Sequence, residues 1–433
     1  MEYDLAIIGA GAAGLLAARE AARAGLSVVL VEARDRFGGR LLTVVDPRTT
    51  APIQLGGEFV HGRPAITYAL LREFGATVVD DSEGGFVFRE GALQPTTVDP
   101  FELVTRLLAT ALERVEDQSV EDLIARASKT GASAEAGAWT RHLVSGFDAA
   151  DPSRASARAV AQEWVGDASA DGAQSRVLGG YAPLIAHLAR TLDPVRVDVR
   201  LQTIVTRIAW DNRGVRVDAT SRGRETTFEA RRALLTVPHG VLAAGDIAFE
   251  PELPASTLDA LAHIAMGPVV KLVLRFRTAV WETVNGGAFR DGAFFNGDGI
   301  FPTFWTQLPI RANILVAWAG GTEAERLTTM SDEARTALAL DGAGRYFGDA
   351  AAIEAEFECA YQHDWQRDPF SRGAYTYALV GGEGAREALA APIENRLWIA
   401  GEATAGAGEG GTVAGAFESG MRAAREIVAA AST

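Results

Sequence analysis

The sequence predicts an α/β fold, and three observations carry that prediction. A short apolar strand at 4–8 runs through a glycine turn into an alanine-rich helix, the same strand, glycine turn and helix order returns near the C-terminus, and strand-sized apolar runs fill much of the chain between. Taken in order, the opening strand is followed by a helix over 12–24, Gly25 as its stop and a second strand over 27–32, which makes a βαβ unit. Residues 100–173 turn rich in Ala, Leu, Glu and Arg. There Phe101, Leu103, Val104, Leu107, Leu108 and Leu112 recur at helical spacing, so a helical insertion is expected. A helix after Tyr181 should end near Arg190, and strands are expected over 195–201, 204–210 and 214–219, the last two joined by the turn 211–214. Further strands are expected over 271–276, 314–318 and 355–361. The run 397–400 before Gly401 reads as a buried strand, and 413–431 as a helix. No repeat of fixed period breaks the pattern.

The 433 residues carry 41 Lys plus Arg against 56 Asp plus Glu, a formal charge of −15, with 48% apolar residues and one cysteine. That composition excludes a disordered chain and a disulfide scaffold, and the length suits about two or three domains. No apolar run approaches the roughly 18 residues a membrane helix needs, so a soluble chain without a membrane partner is expected. The first residues lead straight into a strand, with no basic region or cleavage site, which points to a cytoplasmic address. An acidic chain without a basic block is a poor match for nucleic acid and would draw in cationic small molecules. Cys359 is expected to pack in a strand. Six histidines without metal-ligand spacing, and a single cysteine, offer no metal site; no Gly-x-Ser-x-Gly elbow supports hydrolase chemistry.

The strongest motif is Gly9-Ala10-Gly11-Ala12-Ala13-Gly14, because it follows a strand and opens a helix. Gly9 permits the turn, Gly11 lets the backbone approach a pyrophosphate at the helix N-terminus, and Gly14 lets helix and sheet pack closely. Glu32, eighteen residues past Gly14, is placed to accept hydrogen bonds from a ribose diol. NAD and FAD both fit these features. Arg34, Gly38-Gly39-Arg40 and the second glycine pair in Leu55-Gly56-Gly57-Glu58-Phe59-Val60-His61-Gly62 imply a ligand longer than the first pocket. Lys271 interrupts the apolar run Val269-Val270-Lys271-Leu272-Val273-Leu274, and the pattern alone reads as an edge-strand or snorkelling lysine.

In these motifs, taken together and in this order, the chain resembles the flavin-containing amine oxidase family. The resemblance continues through Thr236-Val237-Pro238, Lys271, Trp365 ahead of Asp368-Pro369-Phe370, Gly373-Ala374-Tyr375, Ile399-Ala400-Gly401-Glu402 and Gly410-Gly411-Thr412-Val413-Ala414-Gly415-Ala416. It implies a two-domain protein: an FAD-binding, Rossmann-like part from 1–65, 176–262 and 391–433, and a substrate part of mixed sheet plus helices from 66–175 and 263–390. It also implies that Gly9, Ala10, Gly11, Gly14, Glu32, Ala33, Arg34, Gly39, Arg40, Gly56, Gly57 and Glu58 line the FAD. Val205 would contact adenine through its backbone, and Gly401, Glu402, Thr412, Val413 and Ala416 would hold the phosphates, ribityl chain and ring system, the last helix pointing its positive end at the flavin.

Carried over in the same way, Lys271 would assist reoxidation by oxygen, Trp365 and Tyr375 would flank the flavin and the substrate nitrogen, and His61 would be a polar active-site residue. Two departures bear on specificity. Thr412 stands where monoamine oxidases have a second tyrosine, and Ala374 stands where members with covalent flavin have cysteine, so FAD should be bound non-covalently. The implied reaction is hydride transfer from an amine α-carbon to flavin N5, hydrolysis of the imine to aldehyde or ketone, and reduction of O2 to hydrogen peroxide. A small-molecule amine and O2 are the partners expected, and a homodimer is left open. Two other readings stand beside it: an L-amino-acid oxidase, for which Arg63 and Arg372 are the candidate carboxylate partners, and a catalytically inactive flavin-binding interaction module.

Overall fold

A computed structural model of the chain describes residues 2–81, 84–97, 99–165, 174–406 and 408–432. Strand Glu2–Ile8 alternates its apolar residues between two cores. Leu5 and Ile7 pack with Leu15 and Ala18 of helix Ala12–Arg23, while Ala6 and Ile8 pack on the opposite face with Val29 and Leu235. A strand buried on both faces belongs inside a parallel sheet. It pairs in parallel with Val28–Val31 on one side and Arg224–Leu235 on the other; Val197–Arg200 extends the sheet beyond Val28–Val31, and Leu397–Ile399 joins Arg224–Leu235, again in parallel. Strands Thr203–Trp210, Val215–Ser221 and Arg224–Leu235 form the antiparallel part of the same eight-stranded sheet. Helix Val413–Ala431 closes this layer, with Phe417 and Ile427 in the same core as Leu15.

The second large sheet has seven strands in the order Phe357–Gln362, Val269–Phe276, Ile314–Gly320, Thr303–Trp305, Phe294–Asn296, Gly85–Arg89 and Ala92–Pro95. Strand Val269–Phe276 is buried at all eight positions and hydrogen-bonded on both sides, so the edge-strand and snorkelling readings of Lys271 are corrected: the residue is interior. The expected strand over 355–361 is also corrected at its start. Asp349 caps a helix Ala350–Glu356 by accepting from the Ala352 N–H, and the strand begins only at Phe357. Cys359 lies within that strand.

The helical insertion comprises Pro100–Leu112, Val120–Lys129, Ala134–Gly146 and Ala157–Val165, packed around Val104, Leu108, Ile124 and Val160; its expected last residues, 166–173, lie outside the described residues. Ser119 and Ser133 each start a helix by accepting from a backbone N–H three residues on. Among the described residues no helix is long and apolar enough to cross a membrane.

Candidate active site

The turn after Glu2–Ile8 is built for contact with a ligand backbone. Gly9 has φ +105°, and a Cβ on Gly14 would stand 2.0 Å from the Gly9 carbonyl oxygen, so neither position admits a side chain without displacement. Helix Ala12–Arg23 starts at Gly11 with no side-chain cap and no acid in its first turn, which leaves its positive end open to an anion. In front of it runs a cleft of about 410 Å³. Gly9, Gly11, Glu32, Ala33, Arg34, Gly39, Arg40, Gly57 and Val205 line it, together with Tyr375, Gly401, Glu402, Thr412, Val413 and Ala416 from the C-terminal part of the chain.

The polar residues of the lining are held in place. The Ala10 N–H donates to Glu32 Oε2 at 2.7 Å and the Arg34 N–H to Oε1 at 2.8 Å, while burial raises the pKa of Glu32. Arg34 pairs with Asp368, and Arg40 donates to both Glu402 and the Ala374 carbonyl. Burial works to raise Glu402, but Arg40 and Arg386 outweigh it and the net shift is downward, so the carboxylate stays ionised. Thr412 is the N-cap of helix Val413–Ala431: its hydroxyl accepts from the Gly415 N–H at 2.9 Å. That task explains a short polar residue where an aromatic would leave the helix uncapped.

Ala10, Gly14, Gly56, Glu58, Lys271 and Trp365, also expected at the cofactor, stand outside this lining, and all but Gly56 are buried. Trp365 is buried, with its indole N–H donating to the Leu55 carbonyl at 2.8 Å, and so supports the loop that carries Gly56 and Gly57. A Cβ on Gly56 would lie 1.7 Å from the Arg40 carbonyl oxygen, so the two glycine segments cross in direct backbone contact. Lys271 donates to Glu58 Oε2 at 2.7 Å and to the Gly56 carbonyl at 3.2 Å, and its ammonium lies 5.5 Å from the Trp305 ring centroid. Burial lowers the Lys271 pKa and Glu58 opposes that; for Glu58 itself, burial is outweighed by Lys271 and Arg176, which bring its pKa down to about 2.

A second group of side chains meets at Tyr375. Its hydroxyl donates to the Phe147 carbonyl at 2.6 Å, which draws in the loop after helix Ala134–Gly146. The next residue, Asp148, accepts at both oxygens from the Trp164 indole N–H (3.2 and 3.1 Å), and among the described residues no cation pairs with it. Glu163, on the same helix as Trp164, meets Arg386 at 3.2 Å. His61, Asp148, Glu163 and Tyr375 lie deep in the protein yet each keeps some accessible surface. Burial, reinforced by Glu163, pushes Asp148 well above the ordinary carboxylate range, and burial holds His61 down at about 4, so its ring is neutral at pH 7. Phe101, Phe147 and Trp164 pack together at 5.5–6.0 Å, Phe147 also meets His61 at 5.2 Å, and Phe101 and Phe147 are exposed, so an aromatic cluster runs from this group to the surface.

The sequence pattern did not single out Asp148, Glu163, Trp164 or Arg176. The two arginines weighed for a carboxylate are committed elsewhere: Arg63 to Asp80, Tyr68 and Ser175, and Arg372 to Asp246. Among the described residues no group of His, Cys, Asp and Glu could hold a metal ion.

A family model described as flavin-containing amine oxidoreductase matches residues 12–428. The chain belongs to the flavin-containing amine oxidase family. Polyamine oxidase 4 of Oryza sativa subsp. japonica is 32% identical to it over 450 residues, covering 97% of this chain and 87% of the relative. Among solved structures, wild-type putrescine oxidase bound to putrescine superposes with a TM-score of 0.83 at 24% identity over 99% of each chain. Cyclohexylamine oxidase from Brevibacterium oxydans IH-35A does so with 0.81 at 23% over 100% of each. The protein is an amine oxidoreductase of the two-domain, FAD-binding α/β type, and its cofactor is FAD. The cleft fits that group: the uncapped end of helix Ala12–Arg23 suits a pyrophosphate, Glu32 a ribose, and the backbone of Gly39 and Gly57 close approach by a flat ring.

Proposed function

We propose that the protein oxidises an amine carrying a second ammonium group, a diamine or polyamine, with O2 as electron acceptor. The observation that supports this reading is Asp148, a deep carboxylate beside Tyr375 whose one hydrogen-bond donor among the described residues, the Trp164 indole, is neutral. A substrate ammonium would supply the cation it lacks. The polyamine oxidase name of the rice relative and the putrescine held by the structural neighbour agree with that class. The L-amino-acid reading has no uncommitted arginine among the two weighed for it.

FAD, held non-covalently by the cleft lining of Gly11, Glu32, Gly39, Gly57 and Thr412, would supply acceptance of a hydride at N5 and passage of two electrons to O2 as hydrogen peroxide. The chain's own residues set up the substrate. The reacting nitrogen needs its lone pair, and the Tyr375 ring on the cleft lining favours the neutral amine there by desolvation. A neutral His61 adds no charge against a cationic substrate. Asp148, with Glu163 close by, holds the distal ammonium and fixes which C–N bond faces the cleft. Loss of a hydride from carbon leaves an iminium ion, which sheds a proton from nitrogen to give the imine, and water converts this to an aldehyde or ketone plus an amine or ammonia. Lys271 is read as the group that assists electron return to O2.

Anaerobic mixing with a diamine, a monoamine of equal chain length and an L-amino acid tests the reading by flavin bleaching. The diamine should bleach fastest. Bleaching by the amino acid alone refutes the assignment, and no bleaching by any amine returns the inactive module.

A further inference from the structure

Two of the chain's 41 Lys plus Arg residues are lysines, Lys129 and Lys271. Lys129 is exposed at the end of helix Val120–Lys129, whereas Lys271 is 4% exposed. Buried lysine, unlike arginine, readily gives up its proton, so in an arginine-rich chain this choice places weight on whatever sets the charge of Lys271.

We propose that Glu58 is a positioning residue, whose carboxylate seats the Lys271 ammonium against the Gly56–Gly57 backbone and keeps it charged. The carboxylate has no freedom to turn away. Oε2 accepts from Lys271, and Oε1 accepts from Arg176 Nε at 3.1 Å, Gln307 Nε2 at 3.1 Å and Trp305 Nε1 at 3.3 Å. These donors come from separate segments, so the position of Glu58 is fixed between the seven-stranded sheet, which carries Lys271 and Trp305, and strand Gln174–Val177, which carries Arg176. The Lys271 ammonium makes its other hydrogen bond to the Gly56 carbonyl, next to Gly57 on the cleft lining.

Charge order supports the same role. Lys271, Glu58, Arg176 and Asp81 alternate in sign, with Lys271 facing Glu58 directly and Arg176 standing behind it. From the neighbouring strands Lys271 meets Trp318, its cross-strand partner, and Trp305. Arg176 has other acceptors in Asp81 and the Thr306 and Leu308 carbonyls, so Glu58 is not needed to satisfy it. Without the negative charge of Glu58, two buried cations would face each other, and lysine is the one able to discharge.

The inference rests on the reading of Lys271 given above as the oxygen-assisting group, and its test separates the two. Protein labelled with 13C,15N-lysine gives two side-chain signals, with exposed Lys129 as internal reference. In apoprotein and holoprotein alike, Glu58→Gln should lower the pH at which Lys271 titrates by about 1–3 units and leave Lys129 unmoved. Holoenzyme reduced with dithionite, in the absence of any amine, is then mixed with oxygen. The alkaline fall in reoxidation rate should shift downward by the same interval. Glu58→Asp, which keeps the charge but withdraws it by one methylene, should titrate Lys271 near the parent pH while reoxidising several-fold more slowly. Identical Lys271 titration in parent and Glu58→Gln overturns the proposal, as does a parent-like reoxidation rate in Glu58→Asp should Glu58→Gln fail to fold. A shifted titration with unmoved reoxidation leaves the hold of Glu58 on Lys271 standing and overturns the oxygen role of Lys271 instead.

Discussion

Replacing Asp148 by asparagine removes a charge while keeping the shape and an acceptor for the Trp164 indole, so the fold should be retained. Two unit charges ~4 Å apart at an effective dielectric of ~20 attract by ~4 kcal/mol. Part of this is offset by desolvating the ammonium and by ionising an Asp148 whose pKa burial has raised. A net ~2–3 kcal/mol remains, or roughly 30- to 150-fold in kcat/KM for a diamine. A monoamine of equal length makes no distal contact and should lose less than about threefold. Oxygen uptake over pH 6–9 measures both. The sign of the pH effect follows from the same residue: burial raises the pKa of Asp148 in the free protein and a bound ammonium draws it down again, so binding releases protons and the diamine KM should fall as pH rises through the raised pKa. That limb should vanish in Asp148→Asn. Equal losses for diamine and monoamine would refute the assignment of the distal ammonium to this carboxylate.

Lys271→Met should slow reoxidation of the reduced enzyme by about 10²-fold while leaving anaerobic bleaching far less affected, and equal reoxidation rates in stopped flow would remove Lys271 from the oxygen step. Tyr375→Phe deletes the hydrogen bond to the Phe147 carbonyl and loosens the loop carrying Asp148; a ~1 kcal/mol loss, about fivefold in diamine kcat/KM, is expected. Gly14→Ala sets a methyl 2.0 Å from the Gly9 carbonyl oxygen, so the purified variant should hold no FAD; a normal visible spectrum contradicts the packing described. His61 is held neutral with a pKa of about 4 against 6.5 for the free side chain, so the stability tied to it is complete above pH 6.5 and is lost as pH falls to 4. His61→Gln should therefore lose unfolding free energy less steeply than the parent between pH 6.5 and 4, by roughly 2–3 kcal/mol in total, as denaturant titrations at each pH would show.

The parts legible in the sequence are those set by local pattern. The first βαβ unit, the glycine turn and helix Val413–Ala431 follow from apolar periodicity and from glycine at positions where a Cβ has no room. The interior place of Lys271 was not legible, because a charge within an apolar run looks the same on an edge strand and on a central one. What decides is pairing with Ile314–Gly320 and Phe357–Gln362, far away in the chain. Short strands such as Gly85–Arg89 and Phe294–Asn296 carry too few residues to announce themselves and exist through their parallel pairing. Asp148 and Glu163 belong to no motif within the helical insertion, and only the contacts with Trp164 and Arg386 mark them out. The scarcity of lysine, two among 41 Lys plus Arg, is a compositional signal that adds to the one Lys271 gives by interrupting an apolar run.

Arg34 and Asp368 meet across 334 positions, Arg40 and Glu402 across 362, and the first and last helices share one core. The cradle is thus sewn from segments far apart along the polypeptide. A nascent chain has only half of the walls until Glu402 and helix Val413–Ala431 have been made, and capture of the coenzyme has to wait for them. Loading is consequently a late event in biogenesis, and removing helix Val413–Ala431 should cost the yellow colour before it costs the remote seven-stranded layer.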